Sequence, residues 1–415
     1  MKRILVSAYA VSPIRGSECA LGWEISKRLG EYFDVTVLMC EKTPSNVPFY
    51  FEIKEYIEKN GNIKNVFYVP VKMPEASKKY TKLHDLGFWP AYYWGYNCWQ
   101  KAAFIKAKEL HAKNPFDGVY QLNMIGFREP GYLWKLNIPY IWGPTNGFHS
   151  IPFSFIRGFK GKEFIIQLLK HIANEINIAF ARRAKKAARK ADIVWCVDET
   201  ALKKMMQWRA KAELMQETGL NTTPIKLISN RHYDGIRCLN LVWSGMITTG
   251  KALNILIEAM INLRHLNIHL TIIGDGPLLN SVKKKSEIIS NKITWTGWLS
   301  KEEAINLVGK SDLLIHTSLK EGTPHSILEA IGNGVPVVCH ETCGMGEVVN
   351  DKNGFKIPYE DIPKSVEYLI ELLQRLSTNP EILNESFESL WETTNDLTWD
   401  FKVQRIAKRI NGIIS

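Results

Sequence analysis

Short apolar runs recur along the chain, separated by longer stretches with a helical pattern. Near-continuous apolar runs flanked by helices are typical of parallel strands that are buried on both faces. Six such runs form a first series: RILVSAYA (3–10), VTVLMC (35–40), NVFYVPV (65–71), GVYQLN (118–123), PYIWGP (139–144) and ADIVWCV (191–197). Five more form a second series: LNLVWSGMI (239–247), HLTIIGDG (269–276), ITWTGWL (293–299), DLLIHTS (312–318) and VPVVCH (335–340).

Two series of this kind predict an α/β protein with two doubly wound, Rossmann-like parallel-sheet domains. We expect a first domain at residues 1–225, a second at 226–395, and a C-terminal helix at 396–415 that packs back on the first. The polar stretch ETGLNTTPIKLISN (217–230) is the predicted linker. Ligands of open parallel sheets bind beyond the carboxyl ends of the strands, so two facing sheets would share one cleft.

The composition is that of an ordinary globular chain, with 45% hydrophobic and 23% charged residues and no apolar run long enough to span a bilayer. The first residues, MKRILVSAYAVSP, resemble a signal peptide, but the glycine-bearing loop and amphipathic stretch that follow favour a first strand. Seven cysteines without C-x-x-C spacing disfavour both a disulfide framework and a zinc site. We therefore expect a cytoplasmic protein with reduced thiols.

The net charge of +11 is unevenly distributed, since residues 157–190 carry ten Lys/Arg against two Glu, a local excess of +8. This excess indicates an anionic partner, and the helix IAFARRAKKAARK adds an apolar side at Ile178, Phe180 and Ala181. Residues 88–99 (FWPAYYWGYNCW) hold seven aromatics, which fit either core packing or a patch that meets a membrane or an acceptor lipid. No nucleic-acid module is visible, so we expect no nucleic-acid partner.

Two glutamates lie eight residues apart in EGTPHSILEAIGNGVPVV (321–338), directly after the strand DLLIHTS. Glu321 and Gly322 form the predicted turn, and Thr323 is the predicted cap of a helix with Pro324 at its first position. Free N–H groups in the first turn of such a helix favour a phosphate, and we expect them at His325, Ser326 and Ile327. The alternative, two solvated surface acids, accounts for one glutamate near a helix start but not for the spacing.

The E-x7-E spacing, with GTPHS inside it and GNGVPVV after it, resembles the retaining glycosyltransferases of the GT-B fold, family 4. The same family is matched, in the expected order, by RGSE, MIGFREPGYLWKLNIPYIWGP, VWSGMITTGKALNILIEAM, TIIGDGP, WTGWLS and CHETCGMGEVV. The resemblance implies retaining transfer of a sugar from a UDP- or GDP-sugar to a saccharide acceptor, often lipid-linked, in bacterial surface polysaccharide or lipopolysaccharide synthesis. It also implies a cytoplasmic enzyme, peripheral on the inner leaflet of the membrane, without a cofactor beyond the nucleotide sugar.

Residue roles follow from the resemblance, position by position. Glu321 would contact the donor sugar as the catalytic residue, Glu329 would bind the ribose, and Lys251 would neutralise the diphosphate. A cation at that point makes a metal unnecessary, which agrees with the absence of a D-x-D pair from the sequence. The further donor-binding positions are Gly16, Ser17, Gly245, Gly297, Gly322, His325 and Ser326. The acceptor-side candidates are Asn123, Arg128 and His149.

The sequence departs from the family pattern at three places. Met246 and Gly250 stand where relatives carry basic residues, and VYQLNMIGFREPG lacks the histidine that many relatives place after the fourth strand. Without that histidine, the departing phosphate would accept the proton in a front-face reaction. Trp298 is expected to pack rather than to stack on a base.

Two other functions remain open from the sequence: a nucleotide-sugar 2-epimerase of the same fold, and a silent sugar-nucleotide-binding subunit. An epimerase would need acid and base groups beside C2 of the sugar, and no convincing set is visible. Retention of Glu321, Glu329 and Lys251 argues against the silent subunit.

Overall fold

The computed structural model describes residues 1–88, 90–221 and 231–414, which divide into two compact units. The first unit comprises Met1–Phe148, Asn177–Thr218 and Trp399–Ser415, and the second comprises His149–Ile176 and Gly219–Thr398. The predicted domain boundary at 225/226 and most of the predicted linker lie outside the described residues. Residues 149–176 were assigned to the first domain from the sequence. They belong to the second unit because side chains such as Phe155 and Ile156 are buried in its core.

Every strand pair of both sheets is parallel within the described residues. The strands of the first unit are β1 (Arg3–Ala8), β2 (Asp34–Cys40), β3 (Val66–Val71), β4 (Gly118–Asn123), β5 (Tyr140–Thr145), β6 (Ile193–Cys196) and β7 (Ala212–Leu214). Those of the second are β8 (Leu239–Ser244), β9 (Ile268–Ile273), β10 (Ile293–Gly297), β11 (Leu313–His316), β12 (Val337–His340) and β13 (Gly354–Ile357).

The helices cover the sheets, as the pattern between the apolar runs predicts. In chain order they are α1 (Glu18–Leu29), α2 (Phe49–Asn60), α3 (Lys78–Asp85), α4 (Pro90–Lys113), α5 (Phe153–Ile156), α6 (Gly161–Ala179), α7 (Arg182–Lys190), α8 (Glu199–Gln207), α9 (Leu253–Asn262), α10 (Leu279–Lys285), α11 (Lys301–Lys310), α12 (His325–Gly332), α13 (Cys343–Val348), α14 (Ile362–Thr378), α15 (Pro380–Ser389), α16 (Trp391–Thr394) and α17 (Trp399–Ile413). Short 3-10 turns lie at Glu75–Ser77, Leu133–Lys135, Thr249–Lys251, Glu287–Lys292 and Asn395–Leu397.

The strand order is β3-β2-β1-β4-β5-β6-β7 in the first unit and β10-β9-β8-β11-β12-β13 in the second. These two doubly wound parallel sheets confirm the fold class that the apolar runs predict. In each sheet the order reverses beside the first strand of the unit, between β1 and β4 and between β8 and β11. Loops that leave such a reversal diverge and leave room for a ligand, so these two points locate the candidate sites.

The core of the first unit includes residues from both ends of the chain. Helix α17 contributes Trp399, Val403, Ile406 and Ile410, each at most 2% exposed, to the same apolar cluster as the central strands. Burial of large apolar side chains is the main favourable term in folding, so this helix is part of the unit rather than an appendage.

The aromatic segment 88–99 divides between two environments. Tyr96 and Trp99 are buried, and both rings contact Tyr9 at centroid distances of 5.0 Å. Phe88 and Trp94 remain 48% and 47% exposed. Core packing therefore accounts for only part of the segment. Trp89 lies outside the described residues.

Candidate functional site

Beside the strand-order reversal of the second unit, the main chain at the ends of β8, β9 and β10 packs closely together. The N–H of Gly245 donates to the carbonyl of Ile273 at 3.0 Å, and the N–H of Gly274 donates to that of Gly297 at 2.8 Å. A Cβ at Gly274 would lie 2.0 Å from the carbonyl oxygen of Gly245, and its φ is +131°, so only glycine fits there. The predicted donor-binding residues Gly245 and Gly297 thus belong to one backbone surface at the ends of β8, β9 and β10.

Lys251 lies in the loop that leaves β8. The helix that follows begins at Leu253, because Thr249–Lys251 form a 3-10 turn and Ala252 is left-handed at φ +47°. This loop is held by a hydrogen bond from the segment that follows β11. The N–H of Leu319 donates to the carbonyl of Gly250 at 2.8 Å.

Glu321, in the loop after β11, meets Lys251 across the strand-order reversal. The ammonium Nζ of Lys251 is 2.6 Å from Oε1 and 2.5 Å from Oε2 of Glu321. The Nε2 of His316, at the end of β11, is 3.0 Å from Oε2 of the same carboxylate. The strand-exit positions predicted from the sequence are therefore brought together as an ion pair, supported by a histidine that the prediction missed. The signal for it was a polar residue inside the apolar run DLLIHTS.

This arrangement keeps Glu321 ionised. Burial alone would raise the pKa of Glu321, but His316 and then Lys251 outweigh it and hold the pKa well below the usual range. Burial lowers the pKa of His316, which is only 2% exposed, so its imidazole is neutral at pH 7. An ionised carboxylate can only accept, so Nε2 carries the proton and His316 acts as a hydrogen-bond donor. The positive charge at the site comes from Lys251.

Helix α12 begins one residue later than the sequence suggested. Pro324 is the cap and His325 is the first helical residue, and the N–H of Ile327 donates to the Pro324 carbonyl at 3.2 Å instead of staying free. Thr323 does not cap the helix. Its Oγ1 is buried and has no hydrogen-bond partner in the described part of the chain. An orphaned hydroxyl directly before a helix start leaves a donor available for a ligand oxygen.

Glu329 lies within α12 and is 27% exposed at its side chain. Its Oε1 is 3.4 Å from Nζ of Lys301, the first residue of α11. Burial raises the pKa of Glu329, and Lys301 offsets only part of that rise. Trp298, expected to pack, is instead 61% exposed, so that prediction is wrong.

A cavity of about 500 Å³ in the second unit borders the loops that carry this ion pair. Gly250 and Lys320, which directly precede Lys251 and Glu321 in the chain, are part of its wall. It is lined by Ser150, Ile151, Glu163, Gln167, Lys170, His171, Thr248, Thr249, Gly250 and Lys320. The segment that the sequence had assigned to the other domain thus contributes six of these residues.

At the strand-order reversal of the first unit, a side chain at the end of β4 is hydrogen-bonded to the segment that follows β1. Asn123, at the end of β4, donates through Nδ2 to the carbonyls of Ala10 (2.8 Å) and Glu18 (2.9 Å). Because Asn123 has no exposed surface, its amide joins two loops and does not serve as the predicted acceptor contact. Ser17 occupies the cap position of α1 at φ +54°, but its side chain makes no capping bond; Gly16 beside it is exposed.

Glu18, the last residue of the motif RGSE, is a functional candidate that sequence reasoning passed over. Its Oε1 accepts from the N–H of Ile125 at 3.1 Å, and its Oε2 is buried without a hydrogen-bond partner among the described residues. Burial, and then the charge of Glu217, raises the pKa of Glu18 to about 8. This carboxyl is therefore largely protonated at neutral pH.

The remaining acceptor-side candidates belong to different units: Arg128 to the first and His149 to the second. The Arg128 guanidinium lies 4.6 Å from the centroid of the Phe127 ring. Its neighbour Glu129 is occupied by an ion pair with Arg183 and is structural. His149 belongs to the second unit, where its carbonyl accepts from Nδ2 of Asn174 at 3.2 Å.

Two doubly wound parallel sheets of this kind are the architecture of the GT-B fold class. Residues 240–386, about a third of the chain, match the family model of the glycosyl transferases group 1. The matched stretch contains Lys251, Glu321 and Glu329. The resemblance to group 1 glycosyltransferases predicted from the motifs is confirmed over this stretch, whereas retention and membership of family 4 stay predictions.

Two known proteins resemble parts of the chain. Protein CapJ of Staphylococcus aureus is 34% identical over 131 residues, 30% of this chain and 32% of that protein. The UDP-Gal:alpha-D-GlcNAc-diphosphoundecaprenol alpha-1,3-galactosyltransferase of Escherichia coli is 31% identical over 117 residues, 27% of this chain and 28% of that protein. The chain thus spans about a third of the length of these relatives.

A solved structure covers the whole fold. The apo form of the lipopolysaccharide outer core galactosyltransferase WaaB superposes with a TM-score of 0.64 over 99% of this chain and all of that chain, at 15% identity. This likeness concerns the fold alone. Among the helices of the described residues, none has the length and apolarity that crossing a bilayer requires.

Proposed function

We propose that the protein is a retaining glycosyltransferase that moves a sugar from a nucleotide-diphospho-sugar to a saccharide acceptor in bacterial surface polysaccharide synthesis. The observation that carries the proposal is the pair of Lys251 and Glu321 at the strand-order reversal of the second unit. A cation and an ionised carboxylate side by side suit the two halves of such a donor, a diphosphate and a sugar rich in hydroxyl groups.

Each member of the pair has a separate task in this proposal. Lys251 stabilises the negative charge that develops on the diphosphate as the bond to C1 of the sugar breaks. Glu321 accepts hydrogen bonds from hydroxyls of the donor sugar and fixes its orientation. In the absence of donor the two groups satisfy each other, so donor binding exchanges one ion pair for contacts to substrate.

The stereochemical part of the proposal is front-face transfer. The acceptor oxygen forms its bond to C1 on the face that the phosphate leaves, and the departing phosphate oxygen takes the acceptor's proton. No protein base is then needed. Because Lys251 supplies the charge at the leaving group and no D-x-D pair is present, we expect activity without a divalent metal.

The start of α12 completes the proposed donor site. The main chain at the start of the helix, at His325 and Ser326, and the unpartnered hydroxyl of Thr323 suit a phosphate oxygen. In this proposal Glu329, further along the helix, accepts hydrogen bonds from the ribose hydroxyls. The name of the Escherichia coli relative supports a UDP-sugar donor and a diphospholipid-linked acceptor, and both are proposals for this chain.

A lipid-linked acceptor would require the protein to work at a membrane surface. The residues that we propose for contact with the membrane differ from those expected from the sequence. Ile178, predicted as part of the apolar side, is 6% exposed, and Arg183 is engaged with Glu129. An apolar stripe instead lies along α6, at the spacing of one helix face. It consists of Ile165, Leu169, Ile172 and Ile176, which are 45–61% exposed.

The α6 stripe is followed by Phe180, 71% exposed, and lies within the basic segment 157–190. Exposed apolar residues flanked by cations are what an anionic bilayer surface accepts. We therefore propose peripheral association with the inner leaflet through this helix.

Incubation of the full chain with UDP- and GDP-sugars tests the proposed activity against its two alternatives. A transferase hydrolyses its donor slowly to free sugar and nucleotide diphosphate, and does so faster when a suitable acceptor is present. Interconversion of two nucleotide sugars would identify an epimerase, and binding without turnover would identify a silent subunit. Either of these last results would refute the proposal.

A further inference from the structure

The cavity beside the Lys251–Glu321 pair has a polar lining that the proposed donor contacts do not use. Hydroxyls come from Ser150, Thr248 and Thr249, and an amide comes from Gln167. The charged residues are Glu163, Lys170 and Lys320, joined by the imidazole of His171. Ile151 is the one aliphatic residue of the lining, and none of the described lining residues is Phe, Tyr or Trp.

This chemistry excludes some occupants and favours another. A nucleobase needs a flat apolar or aromatic wall, which the lining lacks. Hydroxyls, an amide and a carboxylate are partners for sugar hydroxyls, whereas the ammonium groups of two lysines are partners for an anion. A volume of about 500 Å³ is that of a small-molecule site.

The walls of the cavity are held in place by internal hydrogen bonds. Nε2 of Gln167 donates to Oε1 of Glu163 at 2.6 Å. Nδ1 of His171 donates to the carbonyl of Ile151 at 3.0 Å, since a carbonyl can only accept. The Nε2 of a neutral His171 is therefore an acceptor, suited to a sugar hydroxyl.

A second pair of bonds fixes the loop that leads into the cavity. Nδ2 of Asn174 donates to Oγ of Ser150 at 2.8 Å and to the carbonyl of His149. Asn174 is 6% exposed, so this contact is part of the unit's interior. A lining fixed in this way does not have to be ordered when a ligand arrives.

Lys170 and Lys320 also supply positive charge in a region where this chain lacks two basic residues that its relatives carry. Met246 and Gly250 occupy positions where relatives carry basic residues, and Met246 is 52% exposed without any charge to offer. Lys320 directly precedes Glu321, and Lys170, on α6, lines the same cavity. The positive charge of this region is thus supplied from the β11 loop and from α6.

We propose that this cavity is a subsite for an anionic sugar group, a phosphate or carboxylate carried on a saccharide, bound through Lys170 and Lys320. The group is either the diphosphate end of the donor or a charged substituent of the acceptor. The choice of a sugar as carrier rests on the proposed glycosyl transfer, whereas binding of the anion can be measured without turnover.

Calorimetry at low ionic strength, with the full chain, tests the subsite. Glucose 1-phosphate and glucuronate are the charged test ligands, glucose is the neutral one, and UDP reports on the donor site. We expect the charged sugars to bind at least tenfold more tightly than glucose. Lys170→Gln and Lys320→Gln should each remove most of that difference while leaving the thermal unfolding temperature unchanged. Lys284→Gln, an exposed lysine of α10 outside the lining, is the matched control.

Competition with UDP distinguishes the two sources of the anion. If the subsite belongs to the donor, UDP displaces glucose 1-phosphate, and both lysine variants weaken UDP binding in parallel. If it belongs to the acceptor, UDP and glucose 1-phosphate bind together and UDP affinity is unchanged. Equal binding of charged and neutral sugars, or wild-type affinity in both variants, would overturn the subsite even if donor hydrolysis were normal. Loss of donor hydrolysis with intact anion binding would instead overturn the proposed function.

Discussion

The hydroxyl of Thr317 donates a hydrogen bond to the carbonyl oxygen of Lys251 at 2.7 Å. The same hydroxyl accepts from the indole N–H of Trp243 at 3.0 Å, so one buried side chain connects the exits of β8 and β11. Because Lys251 is held by its main chain and Glu321 lies four residues beyond Thr317, the geometry of the ion pair is set by the two strands rather than by flexible side chains alone.

Replacement of Glu321 should separate turnover from nucleotide binding. Glu321→Gln removes the charge that orients the donor sugar but leaves the size of the side chain and its contact with His316. We expect turnover to fall by about 10²–10³-fold, the range for loss of one transition-state contact, with nucleotide diphosphate affinity changed much less. Steady-state kinetics and calorimetry measure the two effects. Glu302→Gln, on the exposed face of α11, is the control, and near-normal turnover in Glu321→Gln would sink the assignment.

Lys251 and Glu329 should act on the nucleotide half of the donor. Lys251→Gln and Glu329→Ala are each expected to weaken binding of the nucleotide diphosphate itself by roughly tenfold or more, because each removes a charge-assisted hydrogen bond. Calorimetry with UDP and GDP measures this effect, with Lys284→Gln as the control. Unchanged affinity in both variants would refute these roles.

Glu18 should make the stability of the protein depend on pH. Burial raises its pKa to about 8 from the ordinary value of 4.5, so between those pH values the folded state holds a proton that the unfolded state has lost. The stability gained is full below pH 4.5 and disappears as the pH rises toward 8. Glu18→Gln keeps the neutral form at every pH, so its Tm should exceed that of the wild type at pH 8 and match it at pH 4.

Thermal unfolding at the two pH values checks the Glu18 prediction. Glu31→Gln, at an exposed position after α1, should change the Tm equally little at both. A Tm difference for Glu18→Gln that does not vary with pH would contradict a titrating carboxyl at this position.

The α6 stripe should bind anionic membranes. Vesicles that contain anionic lipid are expected to sediment more protein than neutral vesicles, and added salt should reduce the bound fraction because the attraction is screened over about 8 Å at physiological ionic strength. Ile165→Ser combined with Leu169→Ser should lower the bound fraction several-fold, since both side chains are more than half exposed. Ile288→Ser, at a site 67% exposed in the second unit, controls for a general loss of apolar surface. Equal binding by the double variant would remove α6 from the interface.

Donor hydrolysis should continue in a metal chelator. The charge of Lys251 at the leaving group replaces the one that a divalent ion would provide. Assays with excess EDTA are expected to give the rate measured without it, within twofold. Complete loss of activity that Mn²⁺ or Mg²⁺ restores would overturn the metal-independent reaction.

The sequence was sufficient for the central strands and for the two charged groups that meet between them. GVYQLN corresponds residue for residue to β4. Glu321 was singled out because it follows a predicted strand, whereas Lys251 was assigned from the resemblance to the glycosyltransferase family. The edge strands β7 (AEL) and β13 (GFKI) were missed because both are partly exposed and carry a charged residue, Glu213 and Lys356, so neither forms an apolar run. His316 was missed because its role depends on a contact with Glu321 that no spacing encodes.

Sequence patterns were insufficient where tertiary packing determines a helix start or the unit to which a segment belongs. The start of α12 shifted by one residue because Pro324 takes the extended conformation of a cap, at ψ 135°, although a proline is equally acceptable at the first helical position. The stretch 149–176 packs on the second unit through tertiary contacts such as that between the rings of Phe155 and Tyr359. Neither outcome can be read from local propensity.

The first unit draws its interior from both ends of the chain, and this affects how the protein can be made. While the ribosome is still synthesising the chain, β1 to β7 are available long before Trp399, Val403, Ile406 and Ile410 emerge to cover them. The N-terminal unit therefore cannot reach its final packing first, as N-terminal domains generally do during synthesis. A nascent chain stalled before residue 399 would expose an apolar surface there, because α17, which is synthesised after the whole of the second unit, is needed to complete the first.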